Sequence, residues 1–379
     1  QGTMPERGFL VPRDRLFNPL PVTVRSQLGR PLDQDIAGMR DHFLTIKLEG
    51  HRSTPWTDPA LASNPKHSDD YWNAAKHTIA WDRVDGVDPC VLPWITPKQR
   101  RQLASLGFHS LRDLLAVPVE DVPLERCDNL GAARCRNLRT ILQAARSRVP
   151  IPPSPSLMPA MTPHELMVDF EYFSNANVDF ERQWPGLEGH EMIFMIGAGW
   201  VDQGAWRFKV FTAAAETLAG ERILLDEFVD FLATRAGDSL HDPTQTTLYH
   251  WSPAENWQSK RAGSRHGLPA DHGLWNLPWF DLEKQVAVKA PIGVPGAWDT
   301  KLKSVARALA KIDPIYDPGW PEDLDEGKNA MVMGWRAYQE AKPLETPEMA
   351  LLTEYLEADC RALLAVLRWM RDSATRSSD

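Results

Sequence analysis

The chain has 379 residues, 43% hydrophobic and 25% charged, with a formal net charge of −9, the balance of an ordinary soluble protein long enough for two or three domains. Its longest apolar runs, 192–200 and 362–370, are too short or too interrupted to span a bilayer, and no signal peptide opens it; Gln1-Gly2-Thr3 ahead of Met4 reads as a cloning remnant. Four cysteines, Cys90, Cys127, Cys135 and Cys360, lack C-x-x-C spacing, which suggests neither a zinc site nor a disulfide framework and fits a reducing cytoplasm.

Residues 1–93 are rich in Pro, His, Asp and Trp with little periodicity, and the pattern predicts only a strand at 42–48 and a helix around 69–77. Residues 94–148 read as helices. Thr96-Pro97 is a cap followed by proline at the first helical position, a helix over 98–106 ends at Gly107, Ser110 caps 111–117, and Leu130-Gly131 opens a helix to Arg146. Between Lys98 and Arg148 stand ten Lys/Arg against five acids, so this segment is basic while the rest of the chain carries the negative charge. Its helix, Gly turn and helix order looks like tandem helix-hairpin-helix modules, whose turns offer backbone N–H groups to phosphates. Arg134, Arg136 and Arg139 are its candidate nucleic-acid contacts. A small helical bundle with a solvated basic face is the plainer alternative. The fifteen tryptophans are read as packing residues before base-stacking ones.

Six prolines between 149 and 163 prevent a helix or central strand and predict a semi-rigid extended linker and a domain boundary. Beyond it, over 164–372, strands are expected at 165–173, 191–201 and 206–212, a helix at 218–235, a strand at 246–251, a helix at 253–261, and a strand around 279–286. A helix over 301–312 sets Leu302, Val305, Ala306 and Leu309 on one face, and Lys301 and Lys303 elsewhere as further candidate nucleic-acid contacts. Thr346-Pro347-Glu348 starts a last long helix that runs to about Arg371. Three antiparallel strands leading into alternating strands and helices is the order of an α/β, RNase H-like mixed sheet flanked by helices.

Chemistry concentrates in two short patterns. Asp169 and Glu171 form a D-x-E whose carboxylates share one face of a strand, and Tyr355 and Asp359 form a Y-x-x-x-D one helical turn apart. Hard oxygen ligands without His or Cys suit Mg²⁺ or Mn²⁺, and two such ions can clamp both oxygens of a phosphodiester, which points to a metal-dependent nuclease. Each pattern is weak alone, since 178–181 repeats Val-Asp-Phe-Glu and Asp281-Leu282-Glu283 repeats the spacing. Flanks decide between them: Asp169 follows Leu166-Met167-Val168, whereas Asp179 follows a turn-like run. Asp359 shares a face with Leu352, Tyr355, Leu363, Val366 and Met370, and a carboxylate at the core edge is costly unless paired or metal-bound. His250 and Trp251, at a strand end, are read as packing residues before substrate-binding ones.

With "MVDFEYF", "LYHWSPAENW", "WFDLEKQV" and "YLEADCRALLAVLRWMR" in place, residues 165–371 resemble the DEDD superfamily of RNase H-like 3′–5′ exonucleases, closest to the YprB-like domain of predicted RecB-family nucleases. The resemblance extends to "VDPCVLPWITPKQRRQLASLGFHSLRDLL" and does not cover 1–80. It implies two Mg²⁺ or Mn²⁺ ions on Asp169, Glu171 and Asp359, with Tyr355 orienting the attacking water and a nucleic-acid partner, DNA before RNA. The second ligand departs from the family pattern. Where an aspartate is usual, Glu255 stands, with Asp281 competing. A ribonuclease, or a degenerate RNase H-like module that only binds nucleic acid, are the other readings that these residues leave open.

Overall fold

A computed structural model of the chain describes residues 8–10, 20–22, 89–174, 191–320 and 327–376. The strand expected at 42–48, the helix at 69–77 and the second Val-Asp-Phe-Glu lie outside these residues. Near the start, β1 (Gly8–Leu10) and β2 (Leu20–Val22) pair antiparallel, an element the sequence patterning does not single out.

Side-chain capping sets the helical segment. The Thr96 Oγ1 accepts from Lys98 N (3.3 Å), and Thr96 N donates to Gln99 Oε1 (3.1 Å), which opens α1 (Pro97–Ser105). Gly107, at φ +95°, turns the chain. Ser110 and Asp113 then cap α2 (Leu111–Ala116) reciprocally, and α3 (Ala132–Ser147) follows. Leu103, Leu114, Leu124 and Leu138 close a fully buried core among these elements.

The proline-rich segment stays extended for most of its length but is docked. Ile151 exchanges two backbone hydrogen bonds with Gly293, 2.7 and 3.0 Å, and a single 3-10 turn forms at Pro155–Leu157. A Cβ on Gly293 would meet Thr140 O at 2.6 Å and Ala144 Cβ at 2.7 Å, so a glycine there is what lets α3 lie against this part of the chain.

The remaining chain builds a five-stranded mixed sheet in the order β5-β4-β3-β6-β7. Its strands are β3 (His164–Ser174), β4 (Glu191–Asp202), β5 (Ala205–Thr212), β6 (Thr246–His250) and β7 (Trp279–Asp281). Strands β3, β4 and β5 are antiparallel neighbours, while β6 and β7 run parallel to β3. This is the RNase H-like arrangement that the element order implies. Period-two alternation splits β3 between two layers. Leu166, Val168 and Phe170 pack toward α4 (Leu218–Ala236), where Phe170 meets Phe228 edge-on at 6.2 Å. Met167 and Phe173 face the other side, toward α6 (Leu302–Ile312), α7 (Gly327–Tyr338) and α8 (Pro347–Arg376). Between β6 and β7, α5 (Ala254–Arg265) crosses over.

One expected element differs. The strand at 279–286 ends at Asp281 and gives way to a π-helical turn, Glu283–Ala287, closed by Val288 N to Glu283 O at 2.8 Å. Asp281 Oδ1 accepts from Lys284 N (2.9 Å) and turns the chain out of the sheet; a short apolar run does not reveal this by periodicity.

Close approach of α8 to the sheet depends on Gly197, the register partner of Asp169. A Cβ at Gly197 would fall 2.7 Å from Leu356 Cγ, and Leu356 stands one helical turn before Asp359. Gly197→Val therefore pushes α8 away from β3. It should lower the unfolding free energy in urea by about 1–3 kcal/mol and weaken metal binding with it; an unchanged denaturation midpoint would show that the contact is slack.

Candidate metal centre

Strand β3 carries Asp169 and Glu171 on the face that α8 covers, and α8 carries Tyr355 and Asp359 on the face turned to β3. The strand and helix periods that place them are those read from D-x-E and Y-x-x-x-D. One oxygen from each of Asp169, Glu171 and Asp359 lies within 4.8 Å of the others. Together with Glu255 from α5 and Lys303 from α6 they line a cleft of about 290 Å³, walled by Trp251, Tyr172 and Met331. Glu171, Glu255 and Asp359 are buried, whereas Asp169 keeps some exposure to the cleft.

Burial and crowding perturb every carboxyl in this cleft. For Asp169, burial and then the charges of Asp359 and Glu255 push the pKa well above the usual carboxylate range, and the Lys303 ammonium opposes them. Glu171 is raised in the same way by burial, Asp169 and Asp359. Asp359 is raised by burial against the opposing pull of Lys303 and of hydrogen bonds from Trp320 and Tyr355. Burial pushes Glu255 up to about 8, against its hydrogen bond with Asp169, so near neutral pH it holds a proton that a cation would displace.

Lys303, Trp320 and Tyr355 are the groups that offset Asp359. Lys303 Nζ stands 3.6 Å from Asp359 Oδ2, donates to the Tyr355 hydroxyl, and lies 4.0 Å from the Tyr355 ring centroid. Trp320 Nε1 donates to Asp359 Oδ1 at 2.6 Å. Burial, then the neighbouring charges of Asp359, Glu171 and Asp169, raise the Tyr355 phenol far above its ordinary value, which keeps it a neutral hydroxyl.

Behind Glu255 lies His250. Its Nδ1 is 2.9 Å from Glu255 Oε2 and also meets Ser252 O. Burial lowers the His250 pKa, with Asp281 opposing. Asp281 is the register partner of His250 across β6 and β7. It does not line the cleft, and its Oδ2 is buried without a hydrogen-bond partner among the described residues. Glu255 therefore lines the cleft beside the three gathered carboxylates, and Asp281 lies in the layer behind it.

The candidate cations divide by location. Lys303 is inside the cleft, and Lys301 is exposed at the N-cap of α6. Arg134 and Arg136 are exposed on α3. Arg134 Nη1 donates to Asn129 O at 2.9 Å. Arg139 is held by Glu125 through both terminal nitrogens, 2.5 and 2.7 Å, and donates to Val119 O, a geometry that serves the module's own fold. Trp320 had no sequence signal, since it sits in a loop after Pro318-Gly319 with no period to place it. The charge pattern marked Lys303, but as a surface cation and not as a member of the carboxylate cluster. His250 was read as a packing residue before a substrate-binding one, and its place behind Glu255 carried no sequence signal.

Comparison with known proteins adds one result. The RNase_H_2 family model, of the RNase H superfamily, matches residues 178–371, more than half of the chain. The match takes in Glu255, Tyr355 and Asp359 and begins after Asp169 and Glu171, which the sheet brings to the same cleft. No curated protein and no solved structure matches the chain.

The raised carboxyls make stability depend on pH in a definite sense. Glu255 ordinarily titrates near 4.5 and here near 8, so the folded state binds the extra proton between those values. The stability it contributes is full below pH 4.5 and is lost as pH rises through 8. In EDTA, the melting temperature should fall between pH 5 and 8 more steeply for the wild type than for Glu255→Gln, and millimolar Mg²⁺ or Mn²⁺ should restore it at pH 8. Parallel slopes for the two proteins in a thermal melt series would remove Glu255 from the cluster.

Proposed function

This chain belongs to the RNase H superfamily, and we propose that it is a metal-dependent nuclease that degrades DNA from the 3′ end. The observation that carries the proposal is the set of three carboxylate oxygens, from Asp169, Glu171 and Asp359, gathered within 4.8 Å of one another. Buried anions in such proximity repel strongly unless protons or cations neutralise them, and their donors are hard oxygens throughout, the set that Mg²⁺ and Mn²⁺ prefer. The buried acids thus fit two ions, held by Asp169, Glu171, Asp359 and Glu255. When bound, such ions lower the pKa of a water and neutralise charge on the phosphodiester.

The protein's own groups do the positioning. The neutral Tyr355 hydroxyl, fixed between Lys303 and Asp359, is placed to orient a water. Lys303 holds a positive charge beside the cluster and presents donors to an incoming phosphate. Trp320 and His250 hold Asp359 and Glu255 in one rotamer each, as supporting groups do around metal ligands. The 3′ polarity and the choice of DNA rest on the likeness of the D-x-E and Y-x-x-x-D patterns to the DEDD exonucleases.

End-labelled single- and double-stranded DNA and RNA, incubated with Mg²⁺ or Mn²⁺, test this directly. The expected result is laddering of 5′-labelled DNA that EDTA stops. Asp169→Ala and Asp359→Ala should remove it and leave the fold intact, while Glu255→Gln removes most activity. Asp281→Asn should cost about 10–100-fold, and Tyr355→Phe should fall between these two. Full activity in Asp169→Ala or Asp359→Ala would refute the site, and binding without cleavage under any metal would leave a nucleic-acid-binding module.

A further inference from the structure

Helix α5 runs out of the cleft with an exposed stripe that neither the core nor the carboxylate cluster uses. Its inner face, with Glu255, Ser259, Ala262 and Gly263, is buried. Ala254, in its first turn, lines the cleft. Trp257 and Arg261 follow Ala254 at i+3 and i+7 and so continue along the same face, over roughly 10 Å of helix. Trp257 is 60% exposed, the one tryptophan among the large exposed apolar side chains of the described residues. Two cations flank it. Arg261 has its guanidinium 5.4 Å from the Trp257 ring centroid, with Glu191 as its ion-pair partner, and Lys260 is exposed on the adjoining position.

An indole left in water beside two cations has lost the burial that usually retains tryptophan. The same set, a flat aromatic face with cations three and four residues away, is what a single strand of nucleic acid requires: an unpaired base stacks on the ring while neighbouring phosphates meet the ammonium and guanidinium. A duplex cannot use the ring, because its base faces are already stacked. Charge complementarity and continuity with the cleft select the occupant. The cleft itself holds four carboxylates against one lysine, so a polyanion needs cations outside it to be retained.

We propose that Trp257, Lys260 and Arg261 form a single-strand binding track that stacks one unpaired base on Trp257 and leads the strand end into the cleft. This rests on the nuclease reading for its direction, since the track matters to the cleft only if the cleft cuts the strand.

The test measures binding of the full-length protein to a fluorescent twelve-residue oligothymidylate and to a blunt duplex, in EDTA so that no cleavage occurs. Trp257→Ala should weaken oligothymidylate binding about tenfold or more, and Trp257→Phe, which keeps a ring, about threefold or less. Duplex binding should change less than twofold in both. Lys260→Glu should make the salt dependence of log K shallower by about 0.7, whereas Trp257→Ala leaves that slope unchanged. Because Trp257 is exposed, its variants should melt with the wild type, and Lys260→Glu tests the track independently of any effect at Trp257. Equal oligothymidylate affinity in Trp257→Ala, or equal loss on duplex and single strand, overturns the track. If those variants bind as the wild type while the wild type still cleaves, the track fails and the nuclease reading stands. If the binding differences appear but no metal supports cleavage, the nuclease reading fails and the track stands.

Discussion

Desolvated negative charge is the constraint on which the rest of this structure depends. Asp169, Glu171, Glu255 and Asp359 converge in one cleft, and burial raises the pKa of all four. Like charges at such separations cannot all ionise in a low-dielectric site. Lys303, Trp320 and protons shared among the crowded acids offset the charge, and divalent cations would displace those protons. The sheet and α8 are built to hold the acids together against that repulsion. Gly197 gives α8 its close approach, and a register shift in the β3–β4 pairing between Glu171 and Tyr172 adjusts the strand directly after the second acid, as bulges beside active sites do.

Support for the cleft continues through the layer behind it and reaches the helical module. Trp251 lines the cleft and donates to Thr300 O at 3.0 Å, and Thr300 Oγ1 donates to Glu283 Oε1 at 2.9 Å in the π-helical turn. That turn leads to Val288, whose carbonyl accepts from Asn137 Nδ2 of α3 at 3.2 Å, and to Gly293, which pairs with Ile151 and touches α3. The wall of the cleft and the basic helix are thus joined by a continuous set of hydrogen bonds and packed backbone. The prolines of 149–163 keep that connection short and extended by denying the segment a helix of its own.

Much of this was legible in the sequence because periodicity and capping are local. Strand β3 and helix α8 carry their acids and Tyr355 at spacings of two and four residues, and the apolar flank of Asp169 marked it as a strand residue, as it is; its duplicate at 179 lies outside the described residues. Thr96, Ser110 and Thr346 announced their helices by the residues that follow them. What could not be read were contacts between distant segments. Trp320 reaches Asp359 across 39 positions, and Lys303 reaches Tyr355 across 52; no spacing rule links such pairs. The π-helical turn after Asp281 hid behind an apolar run that reads equally as strand. The choice between Glu255 and Asp281 was likewise open in the sequence, because both stand near the end of a strand in the right order, and only the crossover of α5 decides which one faces the cleft.

The sign of the cleft sets how ions and substrate depend on each other. Without cations its carboxylates oppose a phosphate backbone, and the exposed cations nearby, Lys301 and Arg307 on α6 and Lys260 and Arg261 on α5, must supply the attraction from outside. Two divalent ions would turn the same cleft from net negative to near neutral or positive, so a phosphate that binds there favours the ions as much as the ions favour it. Thermodynamic linkage requires the two effects to be equal. A cleft built in this way adds little to the hold on nucleic acid until it is charged with metal, so that without metal the cations outside it carry the binding; on the proposed reading the charge distribution of a chain of net −9 is not at odds with a polyanionic substrate, since the negative charge would hold the metal and the positive charge would meet the strand.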